Sequence, residues 1–451
     1  MGFSVIFFIA IAELLRRRRI LNPVDARKVL HIGAITATAF AVLAFNNIHT
    51  LFLIVTLALP LLLAAVWFGF FKNPENGRRS FGIFYFALAY WVLLYFFGEN
   101  RPLIIFSAML VLAWSDGLAT VVGNRFAKLR WPFSPDEKSP LGSAVFFFST
   151  LVILLALNGE MKMGISLVLF LALFLAAIEA LSMKGLDNLW VPGALAYWLL
   201  LKPEFNSFQS AMTAVIPALA YSAYRQRWLA SGGAFAATLL GWIMLINPEP
   251  EWIIPALVFF VIGSILSKIG GSDTEKRGRN ANQVFANGGV PVLFLMGYFL
   301  TGSEPMLVAL FSGFAFALSD TASSEIGVRF GKRHFDIRSM KGVPPGLSGA
   351  VSTSGSLAGV LFAIIMGVLG YFMIGSVNYT AVIVGAGVLG NFTDTVVGAY
   401  LQAKEKSPDG GYKDRRKGKL VLGVIWITND ATNLISSIIA CLIGFFGAHL
   451  F

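Results

Sequence analysis

The chain has 451 residues, of which 57% are hydrophobic and only 13% are charged. About a quarter of the residues of a soluble globular protein are charged, so this chain lacks the polar surface that a water-soluble body needs. A single cysteine, Cys441, also excludes intrachain disulfides and thiolate-cluster metal sites. The formal charge of +11 must therefore be explained by something other than a soluble nucleic-acid-binding domain.

Predominantly apolar runs recur along the whole chain, and most approach the ~20 residues that a membrane helix requires. They predict an all-α polytopic membrane protein with about sixteen transmembrane helices. In chain order the predicted helices are 1–15, 29–45, 48–71, 81–98, 102–124, 141–157, 163–181, 188–201, 207–224, 229–246, 252–269, 285–301, 305–327, 346–374, 378–400 and 419–449.

Lysine and arginine are distributed very unevenly between the two sides of these helices. Loops on one side hold 32 of the 35 cations, and the other side holds only Arg101, Lys162 and Lys202. This asymmetry marks the cation-rich side as cytoplasmic. We interpret the basic surplus as a signal of topology and of contact with anionic membrane lipids, and we expect no nucleic acid partner.

A polar segment of the first half recurs in the second half. The segment Ser115–Lys128 and the segment Ser319–Lys332 share Ser, Asp, Gly, Arg, Phe and Lys at the same spacing. Each copy ends the fifth of eight predicted helices in its half, so both copies have the same orientation in the membrane. The sequence therefore predicts two parallel eight-helix repeats, forming a domain over 1–204 and a domain over 205–451.

Carboxylates within apolar helices are costly, which makes them candidates for function. In the first half these candidates are Asp116, Glu179 and Asp187, and the last two lie about two turns apart, on one face if the helix is continuous. Basic and amide residues flank them near the cytoplasmic ends of the helices. These candidate binding residues are Arg27, His31, Arg79, Arg125, Lys138 and Asn188.

The second half carries the same kinds of group but is richer in amides. Its candidate carboxylates are Asp320, Glu325 and Asp394. A Gly-rich stretch over 342–355 opens a predicted helix, where backbone N–H groups can receive phosphate. The candidate binding residues here are Arg279, Gln283, Asn287, Arg329, Lys341, Ser348, Asn429 and Asn433.

Carboxylate and Asn oxygens suit Mg²⁺, while Arg, Lys and helix N-termini suit phosphates. These are the groups that phosphoryl transfer needs. The sequence contains no Gly-x4-Gly-Lys-[Ser/Thr] loop, so any nucleotide site is of another type. Structural alternatives remain open, since carboxylates also pair with a neighbouring Arg or cap helices, His31 can cap or pack, and glycines allow close helix packing.

With these residues identified, residues 20–201 resemble the phytol kinase and dolichol kinase group, which is related to the phosphatidate cytidylyltransferases. The matching elements are Arg27-Lys28-x2-His31, Arg79-Ser80-x-Gly82, Asp116-x2-Ala119-x3-Gly123-x-Arg125-Phe126, Lys138-Ser139-x2-Gly142-Ser143 and Glu179-x7-Asp187-Asn188.

Residues 210–451 resemble a membrane family long of unknown function, whose plant and cyanobacterial members are associated with phytyl phosphate kinase. The matching elements are Arg279-x3-Gln283-x3-Asn287-Gly288, Asp320-Thr321-x-Ser323-Ser324-Glu325-x-Gly327, Gly346-x-Ser348-Gly349-x-Val351-Ser352, Asp394-x3-Gly398-Ala399-x2-Gln402 and Asn429-x3-Asn433. The chain thus resembles a fusion of two families.

The resemblance implies a bifunctional prenyl kinase that converts a prenyl alcohol such as phytol to the monophosphate and then to the diphosphate, with CTP or another nucleoside triphosphate as donor. We assign Mg²⁺ to Asp116 and Asp187 in the first half and to Asp320 and Asp394 in the second. Glu179 is expected to orient or deprotonate the alcohol. The phosphates are assigned to Lys138, Arg125, Arg329 and Lys341.

Two other readings of the sequence stay open. A cytidylyltransferase forming a CDP-lipid would use a similar fold and Mg²⁺ but would release pyrophosphate. A transporter built from two repeats would also explain the duplication and the intramembrane charges, although its polar residues should lie near mid-membrane. The candidate residues here cluster towards one side, which favours an active site at the cytoplasmic membrane boundary.

Overall fold

The computed structural model describes residues 23–45, 47–70, 79–134, 136–247, 249–270, 278–406, 412–414 and 418–451, with side chains from Lys28 onward. The predicted helix over 1–15 and the side chain of Arg27 lie outside this part. The chain divides into two compact units, Met1–Ser210 and Ala211–Phe451.

The described part of the first unit contains helices. They are α1 Pro23–Ala44, α2 Ile48–Trp67, α3 Gly82–Phe97, α4 Pro102–Phe126, α5 Pro140–Met161, α6 Ile165–Leu181 and α7 Asp187–Leu201. Helix α8, Ser207–Arg225, begins just before the division between the units. Within α4, the turn Leu112–Asp116 is π-helical.

The second unit contains helices and two short hairpins. The helices are α9 Ser231–Leu245, α10 Ile254–Gly270, α11 Ala281–Thr301, α12 Glu304–Phe330, α13 Thr353–Ile374, α14 Val377–Tyr400 and α15 Asn429–Ala448. The strands are β1 Phe335–Asp336, β2 Ala350–Val351, β3 Lys404–Lys406 and β4 Tyr412–Asp414. Strand β1 pairs antiparallel with β2, and β3 pairs antiparallel with β4.

Helix length and composition identify a membrane protein. Among the described residues, nine helices are long and apolar enough to cross a bilayer. Helix α2 is one of them, and only 11% of its most apolar window is buried. Its exposed face carries Leu53, Leu57 and Leu61, which suits contact with lipid tails and would be unfavourable in water.

Each unit is built around one central helix. In the first unit this helix is α4, and 72% of its most apolar 18-residue stretch is buried. In the second unit it is α12, and 78% of the corresponding stretch is buried. Helix α12 contacts α10, α11, α13, α14 and α15, and its Phe311 and Phe316 are fully buried. The central helices carry Asp116 and Asp320 respectively.

The same close helix crossing occurs in both units. In the first, a Cβ on Gly123 would lie 3.4 Å from Gly142 Cα. In the second, a Cβ on Gly327 would lie 3.4 Å from Gly355 Cα. The crossing helices α5 and α13 begin alike, because a serine one residue before each helix accepts a hydrogen bond from Gly142 N or Gly355 N. Glycine at the contact lets the backbones approach closely.

The predicted helix over 346–374 is wrong at its start. Gly346 and Gly349 have φ of +85° and +84°, values that a right-handed helix does not allow. The stretch instead forms turns and strand β2, and the helix begins at Thr353. The predicted span 419–449 likewise contains a helix only from Asn429 to Ala448. The hairpins show that the second unit is mainly, though not purely, α-helical.

Candidate active site

Asp116 lies at the centre of a buried charged cluster in the first unit. Its side chain ends the π-helical turn of α4 and is 4% exposed. Lys28 Nζ lies 3.1 Å and His31 Nε2 lies 3.4 Å from its Oδ2 atom. Both partners come from the first turns of α1. A π-helical turn often accompanies a functional residue, and here it ends at the carboxylate that meets α1.

Lys138 bridges two further carboxylates of the same unit. Its Nζ atom lies 2.9 Å from Glu179 Oε1 and 2.8 Å from Asp187 Oδ2, and it donates to the Glu179 carbonyl at 2.6 Å. Burial alone would lower the pKa of this ammonium, but the charges of Asp187 and Glu179 outweigh burial and hold the pKa above its usual value. Lys138 therefore stays protonated at neutral pH.

The three carboxylates of the first unit converge. Asp116, Glu179 and Asp187 each offer an oxygen, and these oxygens lie within 4.8 Å of one another. Glu179 Oε2 is buried and has no hydrogen-bond partner among the described residues. Such an oxygen-only donor set fits Mg²⁺, which prefers carboxylates and retains some of its waters. The neighbouring Lys28 and Lys138 offer positive charge for a phosphate, and the free Glu179 oxygen can accept a proton.

The other first-half candidates lie at different places. Asn188 follows Asp187 and donates its side-chain amide to Gly82 O at 3.2 Å, which links α7 to α3. Arg79 is exposed, and its guanidinium lies 5.2 Å from the centre of the Trp67 ring. Arg125 is exposed near the C-terminal end of α4. The structure thus brings His31, Lys138 and the three carboxylates together.

In the second unit, Asp394 interacts electrostatically with Asp320. Ser436 Oγ lies 3.5 Å from Asp394 Oδ1. With its amide nitrogen turned towards acceptors, Asn433 donates to the same Oδ1 at 3.1 Å. In the opposite orientation it donates to Asn287 Oδ1 at 3.5 Å. Helices α11, α12, α14 and α15 therefore supply one polar cluster, which includes the amides of Asn287 and Asn433.

Three second-half candidates have structural partners. Gln283 completes a capping box with Asn280 at the start of α11. The Asn429 carbonyl accepts a bond from the turned Asn433 amide. Ser348 Oγ donates to Asp414 Oδ2 at 2.7 Å, which ties the Gly-rich stretch to hairpin β3–β4. The contacts of Gln283 and Ser348 account for the positions of those two side chains without a ligand.

The three cationic candidates of the second half lie partly at the surface and partly in the interior. Arg329 and Lys341 are exposed. Arg279 is 7% exposed and interacts electrostatically with Glu325, which in turn interacts with Asp320. The exposed pair can reach a soluble ligand, whereas Arg279 is available only to a ligand that enters the helix bundle.

Sequence reasoning missed two lysines as site residues. Lys28 pairs with Asp116, and its place in the same basic element as Arg27 and His31 was the available signal. Lys404 is 1% exposed and donates to Ser348 O at 2.7 Å. It belongs to the cation-rich loops that we interpreted as a signal of topology and of contact with anionic lipids. Lys404 lies in strand β3, and its bond to Ser348 O adds a structural role, because it holds this strand to the Gly-rich stretch.

The fold and the cluster define a polytopic helical membrane protein with a buried site of alternating carboxylates and lysines. Over residues 214–441 the chain matches the family described as "Integral membrane protein DUF92". The chain belongs to this family.

Three curated relatives extend the comparison. An uncharacterized membrane protein of Methanocaldococcus jannaschii is 30% identical over 235 residues, which is 51% of this chain and 90% of the relative. Protein VTE6, chloroplastic, of Arabidopsis thaliana is 30% identical over 46% of this chain and 62% of the relative. Phytol kinase of Synechocystis is 30% identical over 42% of this chain and 84% of the relative. No solved structure matches the chain.

Proposed function

We propose that the chain is a bifunctional membrane kinase that phosphorylates a prenyl alcohol to the monophosphate and then to the diphosphate. The observation that carries the proposal is the buried cluster of Asp116, Lys138, Glu179 and Asp187. The relative named phytol kinase supports a kinase and suggests phytol or a similar prenyl alcohol as substrate.

The first unit is proposed to carry out the first step. The alcohol oxygen attacks the γ-phosphorus of CTP or another nucleoside triphosphate, its O–P bond forms, and the β–γ bridge breaks to release a nucleoside diphosphate. The unpartnered Glu179 Oε2 accepts the alcohol proton. Lys28 and Lys138 neutralise charge on the transferred group, as cations do in phosphoryl transfer.

Asp116 and Asp187 are proposed to hold Mg²⁺, because their carboxylate oxygens lie within 4.8 Å of each other and suit that ion. A bound Mg²⁺ would supply positive charge to the phosphate oxygens. Asp187 also contacts Lys138, so this lysine keeps the carboxylate oriented towards the cluster.

The second unit is proposed to phosphorylate the monophosphate. A phosphate acceptor is already largely ionised near neutral pH, so this site has less need of a general base. Asp320 and Asp394 are the proposed Mg²⁺ carboxylates, with Asn287 and Asn433 as neighbouring amides. The chain would then be a fusion of two kinase-like domains, over 1–204 and 205–451.

The two units are proposed to be parallel repeats. Besides the matching crossings at Gly123 and Gly327, each glycine carbonyl meets a basic side chain at the equivalent distance along the chain. Arg130 Nη1 donates to Gly123 O at 3.2 Å, and His334 Nε2 lies 2.9 Å from Gly327 O. Equal sequence spacing together with equal contacts supports a duplication.

Both sites are proposed to lie at the cytoplasmic membrane boundary. The distribution of Lys and Arg along the loops supports this side. The location also suits the chemistry, since a nucleotide arrives from the cytosol and a prenyl chain is held in the bilayer. Membrane lipids are accordingly the proposed surroundings of the apolar helix faces.

The decisive experiment separates the products that the purified full chain makes from labelled phytol, CTP and Mg²⁺. We expect diphosphate from the wild type, no product from Asp116→Asn, and trapped monophosphate from Asp320→Asn. Glu304→Gln, an exposed change at the start of the same helix as Asp320, should behave as wild type.

Other product patterns would redirect the proposal. Failure to phosphorylate any prenyl alcohol with any nucleotide tried would exclude the kinase function. Release of pyrophosphate with formation of a CDP-lipid would establish a cytidylyltransferase. Diphosphate from Asp320→Asn at the wild-type rate would exclude the assigned division between the units.

A further inference from the structure

Arg279 is held in place through its backbone. Its N–H donates to Trp228 O at 3.0 Å, and its carbonyl accepts from Ala230 N at 2.9 Å. The next residue, Asn280, caps helix α11. Arg279 is thus tied to the backbone of 228–230 on one side and to a helix start on the other, so its side chain leaves the backbone from a fixed position.

The guanidinium group of Arg279 is buried without a full set of partners. The residue is 7% exposed, and its Cζ atom lies 5.2 Å from the centre of the Phe259 ring. Its Nη1 atom has no hydrogen-bond partner among the described residues. Leaving a buried donor unpaired has a desolvation cost, which is larger when the group is charged. A ligand atom that pairs with Nη1 would remove that cost.

Two glycines on one face of helix α10 make room for the side chains of Arg279 and Glu325. A Cβ on Gly263 would lie 2.9 Å from Arg279 Nη2. Seven residues later, about two turns along the helix, a Cβ on Gly270 would collide with the Glu325 carboxylate. The absence of both side chains leaves a slot between α10 and α12, in which Arg279 and Glu325 lie.

The positive charge of the Arg279 guanidinium favours an anionic ligand at Nη1. Burial lowers the pKa of the Arg279 guanidinium to about 10, and Glu325 opposes this shift. The guanidinium therefore remains positive at neutral pH. Its planar fork of N–H donors matches the oxygens of a phosphate group, while the apolar Phe259 ring covers one face.

We propose that this slot receives a phosphate group carried by a substrate, with Arg279 Nη1 donating to a phosphate oxygen. The inference rests on the proposed function and deepens it, because the second step must recognise a phosphate ester and reject the free alcohol. Glu325 is a positioning residue that holds Arg279 by charge. A phosphorylated lipid and a nucleotide share the required chemistry, so the test must distinguish them.

The test measures binding to the purified full chain in detergent without Mg²⁺, so that no turnover occurs. The probes are phytyl monophosphate, phytol and CTP. We expect Arg279→Gln to weaken the binding of one phosphate-bearing probe at least about tenfold, since a hydrogen bond between charged groups is lost, and to leave the binding of phytol unchanged. Arg279→Lys should be intermediate because it retains the charge but lacks the fork.

Two variants make the experiment specific. Gly263→Ala keeps Arg279 but fills the slot, so it should weaken the same probe in a chain whose charges are unchanged. Lys268→Gln removes an exposed cation of the same helix, one that lies over the Trp228 ring, and should bind as wild type. The probe that responds identifies the phosphate as that of the lipid or that of the nucleotide.

Wild-type binding of both phosphate probes by Arg279→Gln would overturn the inference. If Arg279→Gln does not fold, unchanged binding by Gly263→Ala would overturn it equally. The outcome is separable from that of the proposed function. Arg279-dependent phosphate binding in a chain without kinase activity would exclude only the kinase, whereas an active kinase whose phosphate binding ignores both variants would exclude only this slot.

Discussion

Lys138 Nζ lies 2.8 Å from Asp187 Oδ2, although the two residues are 49 positions apart in the chain. The contact connects the loop before α5 to the first turn of α7. It also places one ammonium between two buried carboxylates, since Glu179 Oε1 lies 2.9 Å from the same nitrogen. The cluster is therefore a folding contact and a candidate phosphate site at once.

Replacement of Lys138 should affect both stability and turnover. Lys138→Met leaves Glu179 and Asp187 buried without their ammonium, which should destabilise the chain by about 3–5 kcal/mol and abolish the first phosphorylation. Thermal unfolding in detergent and monophosphate formation measure the two effects. Lys128→Gln, which removes an exposed cation from the preceding stretch, serves as control. A stable, active Lys138→Met chain would remove this cluster from the site.

Asn433 should matter for the second step alone. Asn433→Ala removes the amide that contacts Asp394 or Asn287, leaving a buried polar group unpaired at a cost of about 1–3 kcal/mol. We expect monophosphate to accumulate from phytol while the first rate is maintained. Product ratios over time provide the measurement. The exposed amide variant Asn378→Ala should make diphosphate normally, and equal product ratios in the two variants would contradict the prediction.

The close helix crossing at Gly355 in the second unit should not accommodate even one added methyl group. Gly355→Ala places a Cβ 2.7 Å from the Ser323 carbonyl oxygen, so α12 and α13 must separate, at a cost of about 1–3 kcal/mol. The unfolding temperature should fall. Gly385→Ala is the matched control, because a Cβ there meets nothing within 4 Å and should be neutral or slightly stabilising. An equal response to both substitutions would show that the crossing is not tightly packed.

Hairpin β3–β4 should make stability depend on pH through Asp414. Burial raises the pKa of its carboxyl, although Ser348 and Lys404 oppose the shift. A raised folded-state pKa favours folding below the unfolded value of about 3.9, and that contribution is lost as pH rises through the folded value. Asp414→Asn, which can still accept from Ser348, should therefore gain in stability relative to the wild type as pH increases.

The measurement for Asp414 is the difference in unfolding temperature between variant and wild type from pH 4 upward. Glu160→Gln, an exposed carboxylate change at the end of α5, provides the reference for general pH effects. A difference that stays constant with pH, or that moves in favour of the wild type, would show that Asp414 is not buried at a cost.

The membrane class and the kinds of chemical group could be predicted from the sequence. Hydropathy is a local property, so the helices that contain Asp116, Glu179 and Asp320 were found at nearly their observed places. Charge asymmetry and the recurring Ser-Asp segment are likewise visible along the chain. The start of α13 at Thr353 was missed because two glycines with positive φ form turns before it, and hydropathy does not reveal these turns.

Which side chains meet was decided only by the tertiary structure. Lys28 and Asp116 are 88 positions apart, and nothing in local periodicity distinguishes Lys28 from Arg27. Burial of Lys404 depends on a hairpin returning to Ser348, and the slot at Arg279 depends on glycines of a neighbouring helix. The sequence alone determined which segments are apolar enough to lie in a membrane. The packing of helices that are distant in the chain determined the partner of each charged side chain.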